Sequence, residues 1–273
     1  FIDGLGHGMW VSTAAYGGAF HTPFGACRGI ANPDAGRGGK IVHVKALSNL
    51  GSGSTDGILK AIEICLERGC RVISMSLGSL LQGGVDEDPL CRVITQYQSM
   101  AVFVCACGND GPDPWTINSP AASPGAIAVG AMSLMDYEIS WFSSRGPSGE
   151  WYRDHQAQWT CDLQKYGEAL VKPDVVLPGG GRALKEATPD EVLYSGLTGW
   201  TDGMYDLVPN LFEGLHGTSM ATPIAAALIA LALDRGTLKS AGAAGVREAL
   251  ARLQPKNPQS GFGVMSAKQL GLV

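Results

Sequence analysis

Three residues in this chain have the types and local settings that acyl transfer by a hydroxyl nucleophile needs. Ser219 lies in Gly217-Thr218-Ser219-Met220-Ala221-Thr222-Pro223, a small-residue turn that opens into an apolar run. A serine at a helix start holds its hydroxyl at the positive end of the dipole, and its own backbone N–H can face a developing oxyanion. His7 follows a glycine-rich turn, Asp3-Gly4-Leu5-Gly6-His7-Gly8, and imidazole is the usual group for taking a hydroxyl proton and returning it to a leaving amine. Asn109 sits in Ala106-Cys107-Gly108-Asn109-Asp110-Gly111, directly after an apolar segment. A side-chain amide there is a neutral donor that meets charge only when a tetrahedral intermediate forms. Each residue also has a plain reading: serine caps helices, a lone histidine belongs to surface or core, and Asn-Asp-Gly is a common turn. That plain reading is kept for His21, His43 and His155, while His216, three residues before Ser219, can line a cleft.

The elements around these residues alternate between strand and helix. Lys40 to Leu47 is rich in β-branched residues and is expected to be a strand, followed by a Gly/Ser loop with cap candidates at Ser54, Thr55 and Asp56. Ile58, Leu59, Ile62, Cys65 and Leu66 share one helical face before Gly69 stops the helix, and Arg71 to Leu77 is expected to be the next strand. A helix near Leu90 to Ser99, an apolar strand at Ala101 to Ala106 and another at Ala126 to Ala131 continue the pattern. Alternation of this kind implies a parallel sheet with helices on both faces, and ligand clefts form at the carboxyl edge of such sheets. Ser148 to Leu170 and Arg182 to Glu213 mix glycine, aromatics and charges and are expected to be long insertions, before helices at Thr218 to Leu233 and Gly242 to Leu253. With no internal repeat or linker, residues 1–273 are expected to form a single domain.

The three segments together resemble the nucleophile, histidine and oxyanion segments of the subtilisin-like serine peptidases, the subtilase family, and they come in the family's order. Ser143-Ser144-Arg145-Gly146-Pro147, Lys172-Pro173-Asp174-Val175 and Gly261-Phe262-Gly263-Val264 are similar to family segments that carry fold. The resemblance implies an α/β, three-layer fold with a mostly parallel sheet between helices, and a serine endopeptidase with Ser219 as nucleophile, His7 as base and Asn109 as oxyanion donor. It also implies that Ser76-Leu77-Gly78 and Ala106-Cys107-Gly108 wall the site of the substrate backbone and of the side chain before the scissile bond. The small size of those walls leads us to expect an apolar or aromatic side chain there, with Cys107 either a target for mercurials or a buried core thiol. The chain departs from the family pattern at Met9-Trp10-Val11-Ser12-Thr13 after the histidine, and at Ile224 and Ala227 after the serine.

The family's mechanism also needs an aspartate on a first strand upstream of the histidine. Asp3 lacks the preceding apolar strand that would deliver it, so the expectation is an N-terminal segment or separate chain carrying the triad Asp. The rival reading is a catalytically inactive binding module that retains the fold. An esterase is disfavoured because Gly217-Thr218-Ser219-Met220-Ala221 lacks the last glycine of a Gly-x-Ser-x-Gly elbow.

Composition narrows the partners. The apolar share is 45%, the charged share 16% and the net charge −5, so no basic surface is expected for nucleic acid or an anionic membrane. The apolar run Met220 to Leu233 is too short to span a bilayer. Seven cysteines include no CxxC pair, and no zinc is expected. A polypeptide substrate is expected, no cofactor is required, and structural calcium is the one metal the resemblance suggests. The resemblance also makes secretion the leading guess for localisation.

Overall fold

The structure is a computed structural model that describes residues 5–17, 20–22, 25–27, 29–31, 40–185, 191–196, 212–239, 242–252 and 255–273. The first half runs α1 (His7–Tyr16), β1 (Phe20–Thr22), β2 (Gly25–Cys27), α2 (Thr55–Glu67), β3 (Val72–Met75), α3 (Pro89–Tyr97), β4 (Val102–Ala106) and β5 (Ala126–Met132). The second half runs α4 (Glu150–Asp154), α5 (Gln156–Tyr166), β6 (Val175–Pro178), β7 (Leu193–Gly196), β8 (Phe212–Leu215), α6 (Thr218–Asp234) and α7 (Ala243–Ala251).

The central sheet has the order β3-β4-β5-β6 and every pairing in it is parallel. Its strands carry apolar residues on both faces, which commits both to burial. Ile73, Met75, Phe103 and Cys105 pack beneath α2 and α3 with Ile62, Leu90 and Ile94. Val104, Ile127, Val129 and Val175 pack on the other face against Ala225, Ile229 and Val246 of α6 and α7. This is an α/β layered fold, as the sequence pattern implies. The capping expectation also holds: Ser54 accepts from the Gly57 N–H at 3.1 Å, and Gly69 ends the helix region with φ +72°.

Two expectations need correction. Residues 40–47 form no strand, and Ile41 and Val42 are exposed. Among the described strands none pairs with residues 40–47, and the open edge of β3 lies across a groove from them. Residues 148–170, expected as irregular, contain α4 and α5. Tyr152 and Trp159 join the core there, and the buried Tyr152 hydroxyl donates to Asp162 and accepts from the Val85 N–H at 2.9 Å. Much of Arg182 to Glu213 lies outside the described residues.

A buried ion cluster locks the far end of the sheet. Asp174, wholly buried before β6, accepts from Arg247 Nε at 2.7 Å, Lys256 Nζ at 2.8 Å, Lys172 Nζ at 3.0 Å and the Ala128 N–H at 2.8 Å. Its burial opposes ionisation, but the three cations outweigh that and hold its carboxyl well below the usual range. Burial pushes the Lys172 ammonium down to about 7.

Candidate active site

α6 begins at Thr218 after Gly217, whose φ of +150° lets the chain turn into the helix with little steric cost. Ser219 therefore stands in the first turn of α6, half-buried. Among the described residues its backbone N–H meets no acceptor, as expected of a first-turn amide. Its Oγ lies 3.4 Å from the Ser76 carbonyl oxygen, and Ser76 Oγ donates to the Ser219 carbonyl at 2.9 Å. These two contacts join the helix start to the chain just beyond β3.

Asn109 follows the end of β4 and is exposed. Its Oδ1 accepts from the Thr218 N–H at 2.9 Å and from Thr218 Oγ1 at 3.0 Å. A backbone N–H can only donate, so the acceptor end of the amide is fixed on Thr218 and the Nδ2 donor end is left for a ligand. A Cβ placed on Gly217 would lie 3.4 Å from that Nδ2, which puts the donor beside the turn that precedes Ser219.

His7 is the first residue of α1, which starts after Gly6 in the left-handed conformation (φ +79°). One turn on, Trp10 is 1% exposed and packs with Met220, the neighbour of Ser219. That contact sets α1 against α6 and brings the two helix starts to the same edge of the sheet. His7, Ser76 and Leu77 line one groove of 630 Å³. The groove runs along the free side of β3, with residues 40–48 as its opposite wall. His43 on that wall is tied to Ser12 of α1 at 2.8 Å. His216 is exposed and stacks on Phe142 at 5.1 Å. Asp3 lies outside the described residues.

The two wall segments are placed side by side, but their side chains differ from expectation. Leu77 is half-buried and Ala106 is buried, 4% exposed. Cys107 is wholly buried in the core, and burial pushes its thiol up out of the reactive range. This burial matches the core-thiol alternative rather than the mercurial target. The space beside Gly108 (φ +108°) is also taken: a Cβ there would lie 2.4 Å from Asn118 Nδ2 and 2.8 Å from Ser144 Oγ. A Cβ on Gly78 would meet Asn118 Cβ at 3.3 Å. The room left by the glycines is filled by the protein's own amide.

Asn118 is the residue that sequence reasoning missed. Its backbone N–H donates to the Cys107 carbonyl at 2.9 Å, and the adjacent Ser119 exchanges backbone bonds with Ser79 at 2.9 and 3.0 Å. Residue 118 is thereby laced between both walls. The one sequence signal is a polar pair, Asn118-Ser119, inside a stretch of small and apolar residues from Ile117 to Met132.

A family model described as the subtilase family (Peptidase S8) matches residues 3–263. Serine protease AprX of Bacillus subtilis is 32% identical over 215 residues, covering 71% of this chain and 42% of that protein. Pyrolysin of Pyrococcus furiosus is 29% identical over 226 residues, covering 72% of this chain and 13% of that protein. The chain thus spans less than half the length of either relative. A solved structure of a mutant of the protease domain of PatA superposes with a TM-score of 0.62 at 20% identity, covering 97% of this chain and 79% of that one.

Proposed function

This chain belongs to the subtilase family, and from that premise we propose that it is a serine endopeptidase acting through an acyl-enzyme on Ser219. The observation that carries the reading is the paired donor arrangement at the start of α6. Among the described residues the Ser219 N–H is without an acceptor, and Asn109 spends its carbonyl on Thr218 while its amide hydrogens meet no acceptor. Two neutral donors flanking one hydroxyl suit a carbonyl oxygen that becomes an oxyanion. In this reading His7 takes the Ser219 proton as the hydroxyl attacks a peptide carbonyl. The tetrahedral oxyanion is held by the two N–H donors, and the amine departs with the proton from His7. Water then adds to the acyl ester, giving a proton to His7, and His7 returns that proton to Ser219 Oγ as the carboxylic acid product leaves. Polypeptides are the substrate class, and residues 1–273 act as one peptidase domain.

The imidazolium formed in each half-reaction needs a carboxylate to orient and stabilise it. We propose that an N-terminal segment or separate chain supplies it as a strand in the groove between residues 40–48 and β3. Supporting this, β3 has no partner on that side among the described strands, and the groove is long enough to be lined by Val72 through Leu77. A strand parallel to β3 would end beside Ser76 and His7, where the aspartate is wanted. Intact mass measurement of the purified native protein tests this. A second chain or an upstream extension is expected, and a fully active single polypeptide starting at Phe1 would refute it.

The reaction so written uses side chains and water and needs no cofactor. Calcium would serve as a loop brace, but among the described residues no three His, Cys, Asp or Glu side chains converge to hold a metal, so no ligands are assigned to it. No helix of the described residues is long and apolar enough to cross a membrane, and the family resemblance favours secretion. Cleavage of an unfolded protein such as reduced casein by the wild type, absent in Ser219→Ala, is the expected result. No cleavage by folded wild type would favour the inactive binding-module reading.

A further inference from the structure

Two half-buried thiols stand side by side where α2 turns towards β3. The helix region ends on a left-handed glycine, Gly69 (φ +72°), whose N–H donates to the Leu66 carbonyl at 2.9 Å. The next N–H, that of Cys70, reaches back to the Cys65 carbonyl at 3.0 Å. These two bonds make the Schellman closure of a helix, which sets the residue after the glycine against the residue that opens the last turn, so that their side chains touch. Here both of those side chains are thiols. Cys65 and Cys70 pack on the same core cluster, and neither is disulfide-bonded. Burial pushes the Cys65 thiol up to about 11, and charge on Cys70 and a hydrogen bond to it add to the rise, as expected of neighbouring sulfurs.

Access separates this pair from the other thiols. Cys91, Cys105 and Cys107 are wholly buried, and Cys161 is exposed. Cys65 and Cys70 both line the groove of 630 Å³, with Arg68, Gly69 and Arg71 beside them. A small molecule in the groove therefore reaches both sulfurs. The pair precedes Val72, the first residue of β3, whereas Ser76 follows its last, so it lies at the end of the groove remote from Ser219.

We propose that Cys65 and Cys70 are a redox-active dithiol that closes to a disulfide by exchange with a low-molecular-weight disulfide, clasping the turn between α2 and β3. One cysteine, as its thiolate, attacks a sulfur of the small disulfide, whose S–S bond breaks and releases one small thiol. The second cysteine then attacks the protein sulfur of that mixed disulfide, forms the Cys65–Cys70 bond and releases the other small thiol. The protein gives up two electrons and two protons, and the small disulfide takes both. The new bond restricts the unfolded chain around the turn, so the oxidised form is the more stable one. None of this depends on the role of Ser219.

Native protein, reduced with dithiothreitol and freed of it, is incubated with oxidised glutathione. Remaining thiols are blocked with N-ethylmaleimide before unfolding, and the unreduced tryptic peptides are mapped. Trypsin cuts after Lys60, Arg68 and Arg71, so residues 61–68, carrying Cys65, and 69–71, carrying Cys70, separate unless the disulfide joins them. The joined pair is expected, and dithiothreitol should return both peptides. The oxidised protein should melt about 5 °C higher than the reduced one, and Cys70→Ser should show neither the joined pair nor the shift. No joined pair, glutathione retained on both cysteines, either cysteine joined elsewhere, a joined pair that forms only in urea, or a joined pair without the rise in Tm would overturn the proposal.

Discussion

Replacing Asp174 by asparagine removes the single anion from a buried cluster of three cations. Oδ1 receives Arg247 and Lys256 at 2.7 and 2.8 Å, and Oδ2 receives Lys172 and the Ala128 N–H at 3.0 and 2.8 Å. An asparagine keeps one of these oxygens and turns an NH₂ on the other two donors. It loses about two hydrogen bonds to charged or buried groups, each worth roughly 1.5–3 kcal/mol, along with the counter-charge itself. The expected destabilisation is about 3–5 kcal/mol, the scale for breaking a buried ion pair from one side, and about 10 °C in Tm for a domain of this size. The effect depends on pH. Lys172 has its pKa near 7 in the folded state against an ordinary 10.5, so between about pH 7 and 10 the unfolded chain binds more protons and stability rises with pH from this group. The Asn variant should be weakest below pH 7, where a protonated Lys172 keeps the Ala126 carbonyl but has no counter-charge, and should recover towards pH 9. Urea unfolding followed by far-UV circular dichroism at pH 6 and 9 measures both effects. A loss under about 1 kcal/mol at pH 6, or a larger loss at pH 9 than at pH 6, would refute this account of the cluster.

Asn109→Asp retains an acceptor for Thr218 while losing the donor, so kcat should fall at least about 10²-fold, the scale for loss of an oxyanion donor in this family, with Tm held near wild type. Asn109→Ala should lose both activity and about 1 kcal/mol of stability, since the start of α6 is left without its cap. Trp10→Ala, removing a side chain that is 1% exposed and seats α1 on Met220, should cost about 3–5 kcal/mol in denaturant titration and lower kcat through His7. Alkylation of the native protein with iodoacetamide should modify the exposed Cys161 and leave Cys91, Cys105 and Cys107 unmodified by peptide mapping.

The parallel sheet was legible because burial on both faces leaves continuous apolar strands, as in Val102 to Ala106, and because α2 repeats its apolar positions at helical spacing. Residues 40–47 carry the β-branched residues of a strand but form none, because a strand needs a paired neighbour and the open edge of β3 lies across a groove from them. The helices after Ser148 were hidden because their buried face is built from Tyr152, Trp159, Leu163 and Tyr166, whose spacing is helical but whose neighbours are polar. The turns that carry Ser219, His7 and Asn109 were readable from short motifs, since each sits at the end of an element where local sequence sets the turn. Asn118 was not, because its importance comes from Gly78 and Gly108, which only the fold brings beside it.

The central claim is that Ser219 is an activated nucleophile. Treating the native protein with a fluorophosphonate probe, then mapping the adduct by mass spectrometry, tests it most directly. One adduct on Ser219 is expected, absent in Ser219→Ala and lost in His7→Ala. Folded protein that takes up no probe, or that is labelled equally well without Ser219, would contradict it.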